Sequence, residues 1–306
     1  MFDADFIVFG FSIDIQSHAF LLGKAIELNP SLKVVVLSEE PVWITLWSEY
    51  KSNRAEDILI DSKSGVSYRQ ISCLNSDIYS NLVVPYFITT DDSYLARYRT
   101  LFYRNSLVGS RDLLNSWKTR KYRFAYIGEA RAGKLHDLHA DDVRGYPLSA
   151  YRTQLASLVR AEKLLLGVGW DNTHQRRQEL PDWHISKLAS LYQCSMYVSA
   201  IENTYCSSYV TEKPFDALAS LSIPIVWTAG DSCLYKYINP TASFNVYGQS
   251  PHAAAEAIER LDPSEDNAHS IIDCSMRLCK EVMAPANIQT ARRLVVSRIR
   301  RMLEDM

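Results

Sequence analysis

The stretch ENTYCSSYVTEKPFDALASLSIPIVW, Glu202–Trp227, carries two carboxylates, an amide, a tyrosine and a lysine ahead of an apolar helix and a buried strand. The apolar run SMYVSAI precedes it directly and reads as a strand. PFDALASL then reads as a helix, with Pro214 suited to its first turn and Thr211 as its expected N-cap. IPIVW reads as the next strand. Polar residues after a strand and before a helix face the ligand crevice of an open parallel sheet. Lys213 is out of place at a helix start, where the dipole favours anions, unless a phosphate lies there to be held by lysine and helix together. A simple cap with a surface ion pair is the alternative.

Strand and helix alternate on both sides of this stretch. Toward the C-terminus stands the strand FNVY. Upstream come the strand RFAYIGEA, helix YRTQLASLVRA, strand KLLLGVG and helix ISKLASLYQ. The N-terminal half starts with strand FIVFGF, helix HAFLLGKAIEL and strand KVVVLSEE, a βαβ pattern, and is expected to continue with strands EDILID and NLVVPYF. YLARYRTLFYRNSLVGSRDLLNSW then reads as helical. The basic, aromatic WKTRKYR (Trp117–Arg123) interrupts the pattern. The expected organisation is α/β with two doubly wound domains, 1–120 and 121–285, facing a cleft, followed by a C-terminal segment 286–306.

The chain has 306 residues, 33 Lys+Arg against 35 Asp+Glu, and 47% hydrophobic residues, a globular composition. Its net charge of −2 argues against nucleic acid as a partner, because counterion release needs a basic excess. No apolar run is long enough to span a bilayer. MFDADFIVFGFS lacks the basic start of a signal peptide. The six cysteines form no CxxC pair, which suits a reducing compartment. His136 and His139 lack further ligands at zinc spacing and read as surface histidines. Asp91-Asp92 and Asp141-Asp142 read as loop or helix-start acids. No GxGxxG or P-loop is present.

The phrase E-N-x5-Y-V-T-E-K, followed by an apolar helix and IPIVW, resembles the donor-binding motif of the α-1,3-fucosyltransferases, a sugar-nucleotide-dependent family with the GT-B fold. The resemblance extends to Arg152 in YRTQLASL, to LLLGVGW and to KYINPTASFNVYG. It covers about residues 150 to 250, and is faint elsewhere, at LSEEP and VVPYF. It implies that Arg152 and Lys213 hold the diphosphate of GDP-fucose, and that Asn203, Tyr209 and Glu212 bind donor hydroxyls. It also implies a base for inverting transfer at Glu39, with Glu40 as the one-residue alternative. Two adjacent acids facing a cleft would raise one pKa. Glu202 is expected to hold its turn through backbone hydrogen bonds.

The resemblance further implies that no metal or other cofactor is needed, since arginine, lysine and a helix dipole neutralise the leaving group. Asp3-Ala4-Asp5 matches the metal-binding Asp-x-Asp of other glycosyltransferases but precedes the first strand, where it reads as a chance match. The absence of an anchor suggests a bacterial, cytoplasmic enzyme acting on a surface glycan such as lipopolysaccharide core or O-antigen. Transfer of mannose or an amino sugar, and a non-catalytic nucleotide- or glycan-binding module, are the competing expectations. TARRLVVSRIRRMLEDM forms a basic amphipathic helix that either docks on the protein or lies peripherally on the inner membrane surface.

Overall fold

The computed structural model describes residues 4–41, 57–133, 136, 145–170 and 179–306. The N-terminal part contains β1 (Phe6–Phe9), α1 (Ile13–Ser17), α2 (Ala19–Leu28), β2 (Lys33–Ser38), β3 (Ile58–Ile60) and β4 (Ser67–Ser72). Its sheet runs β1-β2-β4-β3, with the first three strands parallel and β3 antiparallel on the edge. The described sheet is thus mixed, an antiparallel edge strand on a parallel sheet, which α/β folds commonly carry.

NLVVPYF is not a strand. Asn81 takes a left-handed φ of 54°, Pro85 lacks the N–H a ladder needs, and α3 (Phe87–Thr90) starts immediately after. Leu82 and Val84 are buried as core-filling loop residues. The strand that completes the sheet is β4, SYRQIS, whose polar composition conceals it. Its Gln70 and Ser72 are both buried.

The long helical stretch forms two helices, α4 (Asp92–Asn105) and α5 (Ser110–Thr119). Asp91 caps the first by accepting from Ser93 N at 2.8 Å, the helix-start role expected of it. Both pack on the side of the second sheet. The basic stretch after α5 is built into this packing. Trp117 is fully buried and donates its indole N–H to Leu221 O at 2.8 Å, while Arg120 donates to Ser195 O at 2.6 Å.

The second sheet comprises β5 (Tyr122–Ile127), β7 (Lys163–Leu166), β8 (Ser195–Ser199), β10 (Ile223–Val226) and β11 (Phe244–Asn245), all parallel, in the order β11-β10-β8-β5-β7. A short ladder joins β6 (Tyr146–Pro147) to β9 (Thr204–Tyr205). The helices of this half are α6 (Ser149–Leu158), α7 (Trp183–Leu191), α8 (Lys213–Ala219), α9 (Leu234–Tyr237), α10 (Pro251–Arg260), α11 (Glu265–Arg277) and α12 (Pro285–Glu304). The chain leaves β5 for β7 on one side and returns to β8 on the other. That reversal opens a crevice between the C-terminal ends of β5 and β8, the ligand position in doubly wound sheets.

One apolar core runs from Val35 and Ile71 on the first sheet through Tyr98 and Trp117 to Phe124, Tyr197 and Phe215 on the second. α12 crosses back onto the N-terminal part. Leu294, Val295, Ile299, Met302 and Leu303 join the core, and Arg298 donates to Ile78 O and Ser80 O at 3.2 and 2.6 Å. The helix is therefore docked, and Arg292 and Arg298 grip the protein instead of standing in water. No described helix is long and apolar enough to cross a membrane.

Candidate functional site

The chain leaves β8 beside the crevice. Ala200 N donates to Ile225 O at 2.8 Å, so the loop keeps the sheet's alignment for one more residue. Ile201 O then accepts from Arg152 at 3.3 Å, and Asn203 O accepts from Leu148 N at 2.9 Å and Ser149 Oγ at 3.3 Å. These bonds tie the first turn of α6 to the Glu202-Asn203 loop. Arg152 is 7% exposed, and its Nε has no hydrogen-bond partner among the described residues. Its guanidinium stands over the Tyr126 ring, 6.0 Å from the ring centre. Asn203 is 6% exposed, and its Oδ1 is likewise without a partner among the described residues. A buried cation and a buried amide oxygen left in this state are the groups an anionic, hydroxyl-bearing ligand satisfies.

Glu202 organises the opposite side of the loop. Its Oε1 accepts from Thr211 N at 2.7 Å, the expected backbone role, and its two oxygens accept from Thr211 Oγ1 at 2.9 and 2.8 Å. Lys213 Nζ donates to Glu202 Oε2 at 2.9 Å and to Thr211 Oγ1 at 2.8 Å. Thr211 is therefore not the helix cap expected of it. α8 starts one residue later, with Glu212 at the cap position and no side-chain cap bond. The threonine hydroxyl is spent on the Glu202–Lys213 pair.

Glu212 lies 3.6 Å from Lys213 Nζ and 3.3 Å from Lys187 Nζ. Burial alone would raise its pKa, but the two ammonium groups outweigh burial and hold the carboxyl well below the usual range. Lys187, unmarked in the sequence reading, continues the network to Asp216 at 2.7 Å. Asp216 Oδ1 also accepts from Tyr98 OH at 2.5 Å and from His184 Nε2 at 2.8 Å. Arg97 donates to His184 Nδ1 at 3.0 Å, which assigns the imidazole proton to Nε2. Two signals in the sequence pointed to these residues. His184 and Lys187 share a face of α7 at spacing i,i+3, and Asp216 is the single charge in the apolar run PFDALASL.

The first-sheet carboxylates reach the same neighbourhood. Tyr209 is buried and stacks on Tyr86 at 5.8 Å, and Tyr86 stacks on Tyr79 at 4.5 Å. Tyr86 donates its hydroxyl to Glu39 O at 3.4 Å. Burial raises the Tyr86 hydroxyl well above its ordinary value, and the charges of Glu202 and Glu39 add to the rise. Glu39 keeps access to solvent. Its carboxyl is nonetheless raised, first by loss of surrounding water and then by Glu40. The repulsion expected from the adjacent acid is present, second to burial.

Of the other acids and histidines, Asp3, His139, Asp141 and Asp142 lie outside the described residues. All six cysteines are free thiols.

Against known proteins, the profile of glycosyltransferase family 10 (fucosyltransferase), C-terminal part, matches residues 168–271. The match spans about a third of the chain and contains Asn203, Tyr209, Glu212 and Lys213 together with Lys187 and Asp216. Arg152 and Glu39 lie outside it. No curated protein matches the chain.

Proposed function

We propose that this chain, whose family match supports a glycosyltransferase, is an inverting, metal-independent fucosyltransferase of the GT-B type using GDP-fucose. The observation that carries this reading is Arg152. Its guanidinium is buried beside the Ile201–Asn203 loop, with Nε unpartnered among the described residues. An uncompensated buried cation costs several kcal/mol, on the order of what removing one partner from a buried pair costs, and a diphosphate offsets that charge. Lys213, whose ammonium rests on Glu202 at 2.9 Å and lies 3.6 Å from Glu212, is the second cation of this proposal and would exchange part of that pairing for phosphate oxygens of the leaving group. Glu212, kept ionised by Lys213 and Lys187, accepts from ribose or sugar hydroxyls, as does the open Oδ1 of Asn203. Tyr209 supports the wall through its stack on Tyr86.

In the reaction, the acceptor hydroxyl attacks the anomeric carbon as the bond to the diphosphate oxygen breaks. Glu39, with Glu40 as the alternative, takes the hydroxyl proton, and GDP leaves as the anion held by Arg152 and Lys213. The raised pKa of Glu39 favours its basicity near neutral pH. A bacterial surface glycan, met on the cytoplasmic side of the inner membrane with the outer arginines of α12 toward the lipid, is the proposed acceptor setting.

Calorimetric titration with GDP, UDP, GDP-fucose and GDP-mannose, with and without EDTA, tests this reading. The expected result is binding of GDP and GDP-fucose that survives EDTA and falls at least tenfold in Arg152→Ala. Preference for another nucleotide, or undiminished binding by Arg152→Ala, overturns it.

A further inference from the structure

Trp227 follows β10 directly, so its indole stands at the C-terminal edge of the second sheet. Four tyrosines from separate segments surround it. Tyr146 lies parallel to it at 5.0 Å and 8°, Tyr205 and Tyr151 meet it edge-on at 5.5 and 6.5 Å, and Tyr247 approaches to 4.7 Å. The β6–β9 ladder pairs Tyr146 with Tyr205 and leads straight from Asn203. Tyr151 precedes Arg152. The cluster is thus built into the same loops as the orphaned guanidinium and amide.

Tyr151, Tyr205 and Trp227 pack against the core on one side and stay partly exposed. Tyr247 is 51% and Tyr146 41% exposed, and Trp227 is half-buried. At the rim, the exposed Asp231 accepts from the Tyr205 hydroxyl through Oδ1. A carboxylate has about four acceptor positions, so this bond leaves capacity for a ligand hydroxyl.

We infer that the Trp227 cluster is a subsite for a hexopyranose ring, with Asp231 accepting from one of its hydroxyls. A pyranose presents a C–H face polarised by its oxygens, which suits the electron-rich face of an aromatic ring, and a hydroxyl edge that suits a carboxylate. The sheet order separates this subsite from the nucleotide: the switch-point crevice lies between β5 and β8, and Trp227 stands one strand further out, just past the end of β10. The pyranose comes from the donor's sugar or from the acceptor glycan. The inference rests on the sugar-nucleotide reading of the adjoining site, and its test is separable from that reading.

The variants are Trp227→Leu, Trp227→Phe and Asp231→Asn, and the probes are GDP, GDP-fucose and methyl β-galactoside. GDP affinity, measured by calorimetry, is expected to be the same in all proteins. If the ring belongs to the donor, Trp227→Leu weakens GDP-fucose about 3- to 10-fold, the size of one aromatic contact, while GDP is unchanged. If it belongs to the acceptor, both nucleotides bind normally and saturation-transfer contacts from methyl β-galactoside to the protein are lost. Trp227→Phe retains most of the affected binding, and Asp231→Asn weakens it. The glycoside is tested with and without GDP, so that arm stands even if the wild type ignores GDP. The inference is overturned if Trp227→Leu weakens GDP as much as GDP-fucose, or if it changes neither pyranose probe.

Discussion

Replacing Lys187 with methionine removes an ammonium from between the buried Asp216 and the partly buried Glu212 while keeping most of the aliphatic stem. The Lys187 side chain is 10% exposed and that of Asp216 1%. Burial would lower the lysine pKa, but Asp216 and Glu212 outweigh it and hold the ammonium above its ordinary range. A raised lysine contributes stability that is complete below about pH 10 and fades as pH climbs through its folded pKa. Glu212, whose pKa is depressed, contributes stability that is present above about pH 4 and lost as pH falls through its folded pKa. From about pH 5 to about pH 10 the pairing is therefore intact and its contribution flat.

Taking one partner from a buried pair costs about 3–5 kcal/mol, because the remaining charge is left uncompensated. Urea denaturation of Lys187→Met at pH 7 is expected to show a loss of that size. The charge-balanced Lys187→Met/Asp216→Asn variant should be more stable than the sum of the single losses predicts, by about 1–3 kcal/mol of coupling. A loss below about 1 kcal/mol, or strict additivity, refutes the view that these groups form one compensated network.

Three further outcomes are expected. Glu39→Gln should slow transfer about 10²- to 10⁴-fold with GDP affinity intact. Because the base acts deprotonated and its pKa is raised, first by burial and then by Glu40, the acid limb of kcat/KM should lie above the ordinary glutamate range and move part of the way down in Glu40→Gln; a wild-type limb within the ordinary range removes Glu39 from the role. Gly167→Ala should destabilise by about 1–3 kcal/mol in urea, since Gly167 has φ +127° and an added Cβ would stand 2.4 Å from Gly128 O; wild-type stability would contradict the close approach. Reversing the exposed Arg293 and Arg300 of α12 should abolish co-sedimentation with phosphatidylserine vesicles, and equal pelleting of both proteins ends the membrane reading.

Much of the second half was legible residue by residue. Its five parallel strands were all visible as short apolar runs bounded by polar loops; β8 and β10 are buried nearly throughout and leave a continuous signal, and the partly buried edge strands β7 and β11 share it. The first half was harder. Gln70 and Ser72 are buried polar residues: Ser72 Oγ donates to Asn75 Oδ1 at 3.2 Å, while Gln70 Oε1 has no partner among the described residues, and an apolar pattern search passes over SYRQIS because of them. Leu82, Val84 and Tyr86 give the opposite error: they are as apolar as a strand, yet Asn81 and Pro85 direct them into the core as loop.

The candidate site divides in the same way. Glu202, Asn203, Glu212 and Lys213 could be picked out because they share one loop, and their proximity follows from chain connectivity alone. The sequence by itself determined the alternation of strand and helix and the clustering of charge at Glu202–Lys213, both local consequences of periodicity and covalent spacing. Only the tertiary structure decided that Thr211 serves the Glu202–Lys213 pair instead of capping α8, that Lys187, Asp216, His184 and Tyr98 close the charge network behind Glu212, and that Glu39 meets Tyr86 beside Tyr209. The Thr211 contacts with Glu202 are only 9 positions apart, but those of Lys187 and Tyr98 span 25 and 118, and the energies of all of them arise from burial, which exists only once the chain has folded.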